Sequence, residues 1–140
     1  MASQKSRVMI KIGAHVSAAG GVHNAPVNAH KEGCETFQFF LSSPQTYNLN
    51  KLAPSEINAF KKNCEKFDFT EYFVHAPYVI NLASTDNRIR HGSINLIRKT
   101  LEEASKLGVT GVIFHTGAGN GYANKKMALQ KAINSLNKIL

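Results

Sequence analysis

Four short apolar runs, each followed by a longer stretch of helical periodicity, constrain this sequence more than any other feature. The spacing predicts a buried strand over residues 8–14, ending at His15. A helix follows from Ser17 and the Gly20-Gly21 pair to about Glu32, closed by Gly33. Pro26 falls in its first turns, where a missing N–H is tolerated. A second, aromatic strand covers 36–41. A polar loop with Ser42, Ser43, Pro44 and Asn48 then leads to a helix opened by Pro54 and Ser55, with Ile57, Phe60 and Cys64 at helical spacing. The third strand, 72–74, ends at His75, and its loop starts at Pro77 and runs past Asn81 to Ser84. A longer helix over 86–107, closed by Gly108, carries Ile94, Ile97, Leu101 and Ala104 on one face. Gly92 within it disfavours the first turns by about 1 kcal/mol relative to Ala. The fourth strand, 109–114, ends at His115, and Gly117, Gly119 and Gly121 form a flexible turn. The last helix puts Leu129, Ile133, Leu136 and Leu140 on one face, with Lys125, Lys126, Lys131 and Lys138 largely elsewhere as a solvated surface.

Strand–helix alternation with short connections implies a parallel sheet covered by helices. A (βα)8 barrel typically needs about 250 residues. The 140 residues present, with four βα units, read as an α/β chain forming about half of such a TIM-type barrel. Residues 1–9 form a basic leader and the start of the first strand, and 10–140 form the (βα)4 unit. A hydrophobic content of 43% argues against disorder or a fibrous protein. No apolar run approaches the roughly 20 residues of a membrane span, and the polar start shows no secretory signal. Cys34 and Cys64 lie far apart without a C-x-x-C, which fits a reducing compartment and argues against a cysteine-based zinc site. The net charge of +8 suits a polyanionic partner.

The most informative constellation is histidine. His15, His75 and His115 each close a strand and open a loop, and in parallel α/β folds those strand ends converge on one rim. Neutral imidazole is the commonest protein ligand for zinc, and neighbouring third and fourth strands would bring His75 and His115 within reach of one ion. A single histidine at a strand end is commonly a packing residue; three on one rim point to a metal site. His23, His30 and His91 lie in helical stretches and read as surface residues. The run from Gly117 to Gly121 fails the dinucleotide spacing because Tyr122 occupies its last position. No nucleophile elbow is present. Tyr47 and Tyr78 sit in rim loops, where aromatic rings either pack on neighbours or stack on bases.

The run Ile12-Gly13-Ala14-His15-Val16-Ser17-Ala18-Ala19-Gly20-Gly21 resembles the opening signature of the endonuclease IV family of apurinic/apyrimidinic (AP) endonucleases. His75-Ala76-Pro77-Tyr78-Val79-Ile80-Asn81-Leu82-Ala83 is similar to its third-strand motif, and Phe114-His115-Thr116-Gly117 to its fourth-strand motif. The resemblance implies a TIM barrel with three zinc ions on its rim, hydrolysing the phosphodiester 5′ to an abasic site in duplex DNA during base-excision repair. By motif, His75 and His115 would ligate zinc, while His15 would line the site without ligating. Tyr78 and Val79 match the loop that enters the minor groove, and Gln45 and Tyr47 fall in the second-strand DNA loop. That loop departs from the family's basic, tryptophan-containing stretch, reading Leu41-Ser42-Ser43-Pro44-Gln45-Thr46-Tyr47.

The family's catalytic carboxylates, with the bridging Glu and the remaining ligands, lie in the second half of the barrel. The expectation is therefore an N-terminal half, inactive alone, with its first and fourth strands open to pairing with another copy. An intracellular place follows, the nucleoid of a bacterium or the nucleus of a eukaryote. Two alternatives are a metal-dependent sugar isomerase or epimerase on a similar barrel and a non-catalytic DNA-binding half-barrel. The absence of tryptophan speaks against the sugar enzyme.

Overall fold

A computed structural model describes residues 10–140, so the leader over 1–9, with Val8 and Met9 of the expected first strand, lies outside the described residues. Strands β1 (Gly13–His15), β2 (Thr36–Phe40), β3 (Tyr72–His75) and β4 (Gly111–Ile113) alternate with helices α1 (Asn24–Lys31), α2 (Pro54–Lys66), α3 (Asn87–Leu107) and α4 (Lys125–Leu136). The strands form one parallel sheet in the order β1-β2-β3-β4. This is the architecture of half a (βα)8 barrel.

Two-residue alternation sorts each strand between a helix face and an interior face. Phe37, Phe39 and Val74 point into a core with Ala25, Ala29, Phe60, Cys64 and Leu107. Phe37 meets Phe69 edge-on at 4.8 Å between ring centroids and stacks on Tyr72 at 5.5 Å. A second core joins Ile80 and Leu82 to Ile94, Leu96, Ile97, Ala128 and Ala132. Register puts His15 beside Gln38, Gln38 beside Phe73, and Phe40 beside His75. Those residues therefore share the interior face, where His15, Gln38, Phe73 and Ile113 line a concavity of about 310 Å³.

Several expectations need correction. The first strand is exposed throughout, with Ile12 73% exposed, because β1 is a sheet edge. The fourth strand shrinks to three residues at the other edge. Helix α1 starts at Asn24, not at the glycine pair, because Gly20 and Gly21 take φ of 82° and 130°. Pro26 does sit in its first turn. Leu101 is 40% exposed and leaves the buried face of α3, which Ser93, Thr100 and Glu103 complete instead. On α4 the buried residues are Ala128, Ala132 and Ser135; Leu129 is 62% exposed, Ile133 is exposed, and Leu140 lies beyond the helix. The glycines after β4 are close-packing positions: a Cβ at Gly117 would lie 2.5 Å from the Asn81 Cα, and one at Gly119 2.5 Å from the Ala128 Cβ.

Candidate active-site rim

Strand register builds the rim. His75 ends β3 opposite Ile113, and its ring centroid lies 5.2 Å from that of His115, two residues past β4. His15 stands 5.8 Å from His75 on the other side. The three histidines thus form a row across β1, β3 and β4, with the His75 residue in the middle and only 6% exposed. Its Nδ1 donates to the Ala76 carbonyl at 2.7 Å. Since a carbonyl only accepts, Nδ1 carries a proton, which leaves Nε2 as the nitrogen that could face a ligand. Burial, with the neighbouring His75 second, lowers the His15 pKa from its ordinary value and so favours the neutral ring.

Phe40 is the residue that sequence reasoning missed. Its ring packs 4.3 Å from His15, 5.2 Å from His75 and 5.3 Å from Tyr78, wedging the row apart. Its signal was its place at the end of the aromatic strand, in register with His75. Tyr78 in turn meets His75 at 5.4 Å and His115 at 5.6 Å.

The two rim loops are stitched together. The Tyr78 amide donates to the Pro44 carbonyl at 2.9 Å, and the Tyr47 hydroxyl donates to the Val79 carbonyl at 2.8 Å. Tyr47, Tyr78 and Val79 consequently line one groove with Asn81, His115 and Thr116, about 700 Å³ in volume. Gln45 is exposed in the same loop, one residue past Pro44, but does not line that groove. Tyr78 is 58% exposed, so a large aromatic ring stands at the mouth of the groove. Gly92 explains itself here: a Cβ there would lie 3.3 Å from the Tyr47 ring, so the glycine lets that ring rest on α3. His23, His30 and His91 stay away from the rim's aromatic row; His30 stacks on Phe67 at 4.2 Å.

The metal-binding capacity of these residues is partial. His75 and His115 supply two imidazoles, whereas zinc takes three or four protein donors. Among the described residues no three His, Cys, Asp or Glu side chains converge to hold an ion. No helix among them is long and apolar enough to cross a membrane.

Fold and rim together define the class: a parallel βα half-barrel whose strand ends carry imidazoles beside a paired-loop groove. Residues 27–140 match the xylose isomerase-like TIM barrel family, and the chain belongs to it. It is 36% identical over 131 residues to a probable endonuclease 4 of Campylobacter concisus, covering 92% of this chain and 46% of that protein. It is 32% identical over 133 residues to the apurinic-apyrimidinic endonuclease 1 of Saccharomyces cerevisiae, covering 93% of this chain and 36% of that one. The crystal structure of endonuclease IV from Thermus thermophilus superposes with a TM-score of 0.78 at 30% identity, over 93% of this chain and 47% of that chain. A D-tagatose 3-epimerase-like protein superposes at 0.64 with 20% identity over 91% and 47%, a likeness of fold alone. The chain spans less than half the length of these relatives.

Proposed function

We propose that this chain forms the N-terminal half, over residues 10–140, of a zinc-dependent AP endonuclease that hydrolyses the phosphodiester 5′ to abasic sites in duplex DNA. The observation that carries the reading is the convergence of His75 and His115, 5.2 Å apart, beside the stitched loop pair of Tyr47 and Val79. His75 and His115 would hold zinc through their imidazoles, two of the three or four protein donors that such a site takes. Zinc, when bound, would make a coordinated water more acidic and would neutralise charge on the phosphate. His15, neutral and unligated, lines the site and leaves the metals' charge uncompeted. Tyr78 and Val79 enter the minor groove as an apolar wedge, and Tyr47 braces that wedge through its hydroxyl. Gln45 contacts the same duplex from the neighbouring loop. The reading places the protein inside the cell, with its DNA.

Two imidazoles are too few for a catalytic zinc centre, so these 140 residues bind an abasic duplex without cutting it. The test measures binding and zinc-dependent incision of a duplex bearing one abasic site, beside Tyr78→Ala and His115→Ala. Tighter binding to the abasic than to the intact duplex, weakened at least several-fold by Tyr78→Ala, is the expected result. Indifference to both lesion and tyrosine overturns the DNA reading. Zinc-dependent incision lost in His115→Ala overturns the inactivity.

A further inference from the structure

A second groove, about 320 Å³, runs along the outer face of α3 beside the β2–α2 loop. Tyr47, Ile89, Gly92 and Leu96 form its apolar part, while Arg88 and Lys99 stand at positions eleven apart on the same helix. Three helical turns separate them, roughly 16 Å of axial rise. No carboxylate lines the groove, and among the described residues neither cation makes a side-chain hydrogen bond or an ion pair. Both are exposed. Tyr47 and Ile89 also line the rim groove that holds Tyr78 and His115, so the two depressions join over one shared ridge.

We infer that the α3 groove is a phosphate track continuous with the rim, in which Arg88 and Lys99 are positioning residues for the backbone of a duplex arm flanking the lesion. This rests on the proposed DNA substrate and extends it to residues outside the loops. Charge decides the occupant. Two unpaired cations with no opposing carboxylate attract a polyanion, and their separation spans more than one phosphate of a single strand. Gly92 lets the Tyr47 ring settle onto α3 between the two cations, on the ridge that the groove shares with the rim. Contacts of this kind add affinity without reading sequence.

The test is fluorescence anisotropy over a salt series with three abasic duplexes, one extending well beyond the lesion on both sides and two cut short, each on a different side. Wild type is compared with Arg88→Ala, Lys99→Ala, and the charge-preserving Arg88→Lys and Lys99→Arg. Each alanine is expected to weaken binding to the long duplex about three- to ten-fold. Each is also expected to lower the salt slope by about 0.9, the loss of one phosphate contact. The conservative variants retain the slope, and shortening one particular arm abolishes the alanine effect. Unchanged slopes in both alanine variants, with binding still sensitive to Tyr78→Ala, overturn the track and leave the DNA reading standing. Absence of any duplex binding overturns both. An effect independent of arm length overturns the assignment to a flank.

Discussion

Gly13 shows how tightly single positions are held at the first strand. A Cβ there would lie 1.8 Å from the Thr36 carbonyl oxygen, and that obstacle is backbone, which cannot swing aside. Gly13→Ala therefore has to push β1 off β2. The expected loss is about 3 kcal/mol or more, at the upper end for overpacking, read as a lowered urea midpoint. A large side chain in the core gives the opposite kind of change. Phe60 is fully buried between Phe37, Phe39 and Tyr72, so Phe60→Ala leaves a cavity and lowers stability by about 3–5 kcal/mol. The sequence made Phe60 legible through helical spacing. It made Gly13 legible only as part of a motif, because the approach of Thr36 comes from a strand 23 residues away. Gly92 was misleading in isolation. Its weak helix propensity is real, but α3 forms through it because Asp86 caps the helix and the Tyr47 ring needs the missing Cβ.

Helix α3 is the element whose bounds were plainest in the sequence, and its ends show why. Asp86 accepts hydrogen bonds from the Arg88 and Ile89 amides, and Gly108 closes the helix in the left-handed region at φ 73°. Asp86→Ala is expected to lower stability by about 1 kcal/mol in thermal or chemical unfolding. The same helix anchors the loop before α2 through Glu103, which accepts from the Leu52 amide at 3.0 Å and from Lys106 at 2.6 Å. Burial alone would raise the Glu103 pKa. The hydrogen bonds from Lys106 and the Leu52 amide, with the charges of Lys106 and Lys51, outweigh it and hold the carboxyl below 4.5. Its folded value thus lies under its unfolded one. The stability Glu103 contributes is complete above the unfolded value and is lost as pH falls through the folded one. Urea midpoints measured from pH 7 down to pH 3 should fall for wild type and fall less steeply for Glu103→Gln; parallel curves would contradict the assignment. Other elements were less legible because their burial depends on neighbours in the sheet. An apolar run reads as buried, yet among the described residues β1 and the outward residues of α4 are exposed. For α4 the alanines are buried while Leu129 and Ile133 are exposed, and Ala128 sits so close to Gly119 that a Cβ there would lie 2.5 Å from its own.

At the scale of the whole molecule, the rim was legible because its chemistry is written at strand ends, and strand ends in a parallel sheet can be placed by counting. Phe40 escaped because a phenylalanine in an aromatic strand looks like core until register sets it against His75. The same counting leaves β1 and β4 as edges, each presenting unpaired backbone groups beside exposed Ile12 and Ile113. Leu129 and Ile133 add an apolar strip on α4. Edges of this kind template pairing with other strands, and apolar surface strengthens the contact by roughly 25 cal/mol for each Å² removed from water. We therefore expect these 140 residues to self-associate as concentration rises, measured as a growing mass in size-exclusion chromatography with light scattering. Ile12→Lys combined with Leu129→Lys should return the chain to monomer mass by placing one charge beside the β1 edge and one on the apolar strip of α4. Association that survives both charges would put the contact elsewhere, and a wild type monomeric at every concentration would show that the edges protect themselves, with Lys11 held along β1 by Glu71 as the residue to examine. If association does occur through β1 and β4, the concave face bearing His15 and Gln38 becomes enclosed.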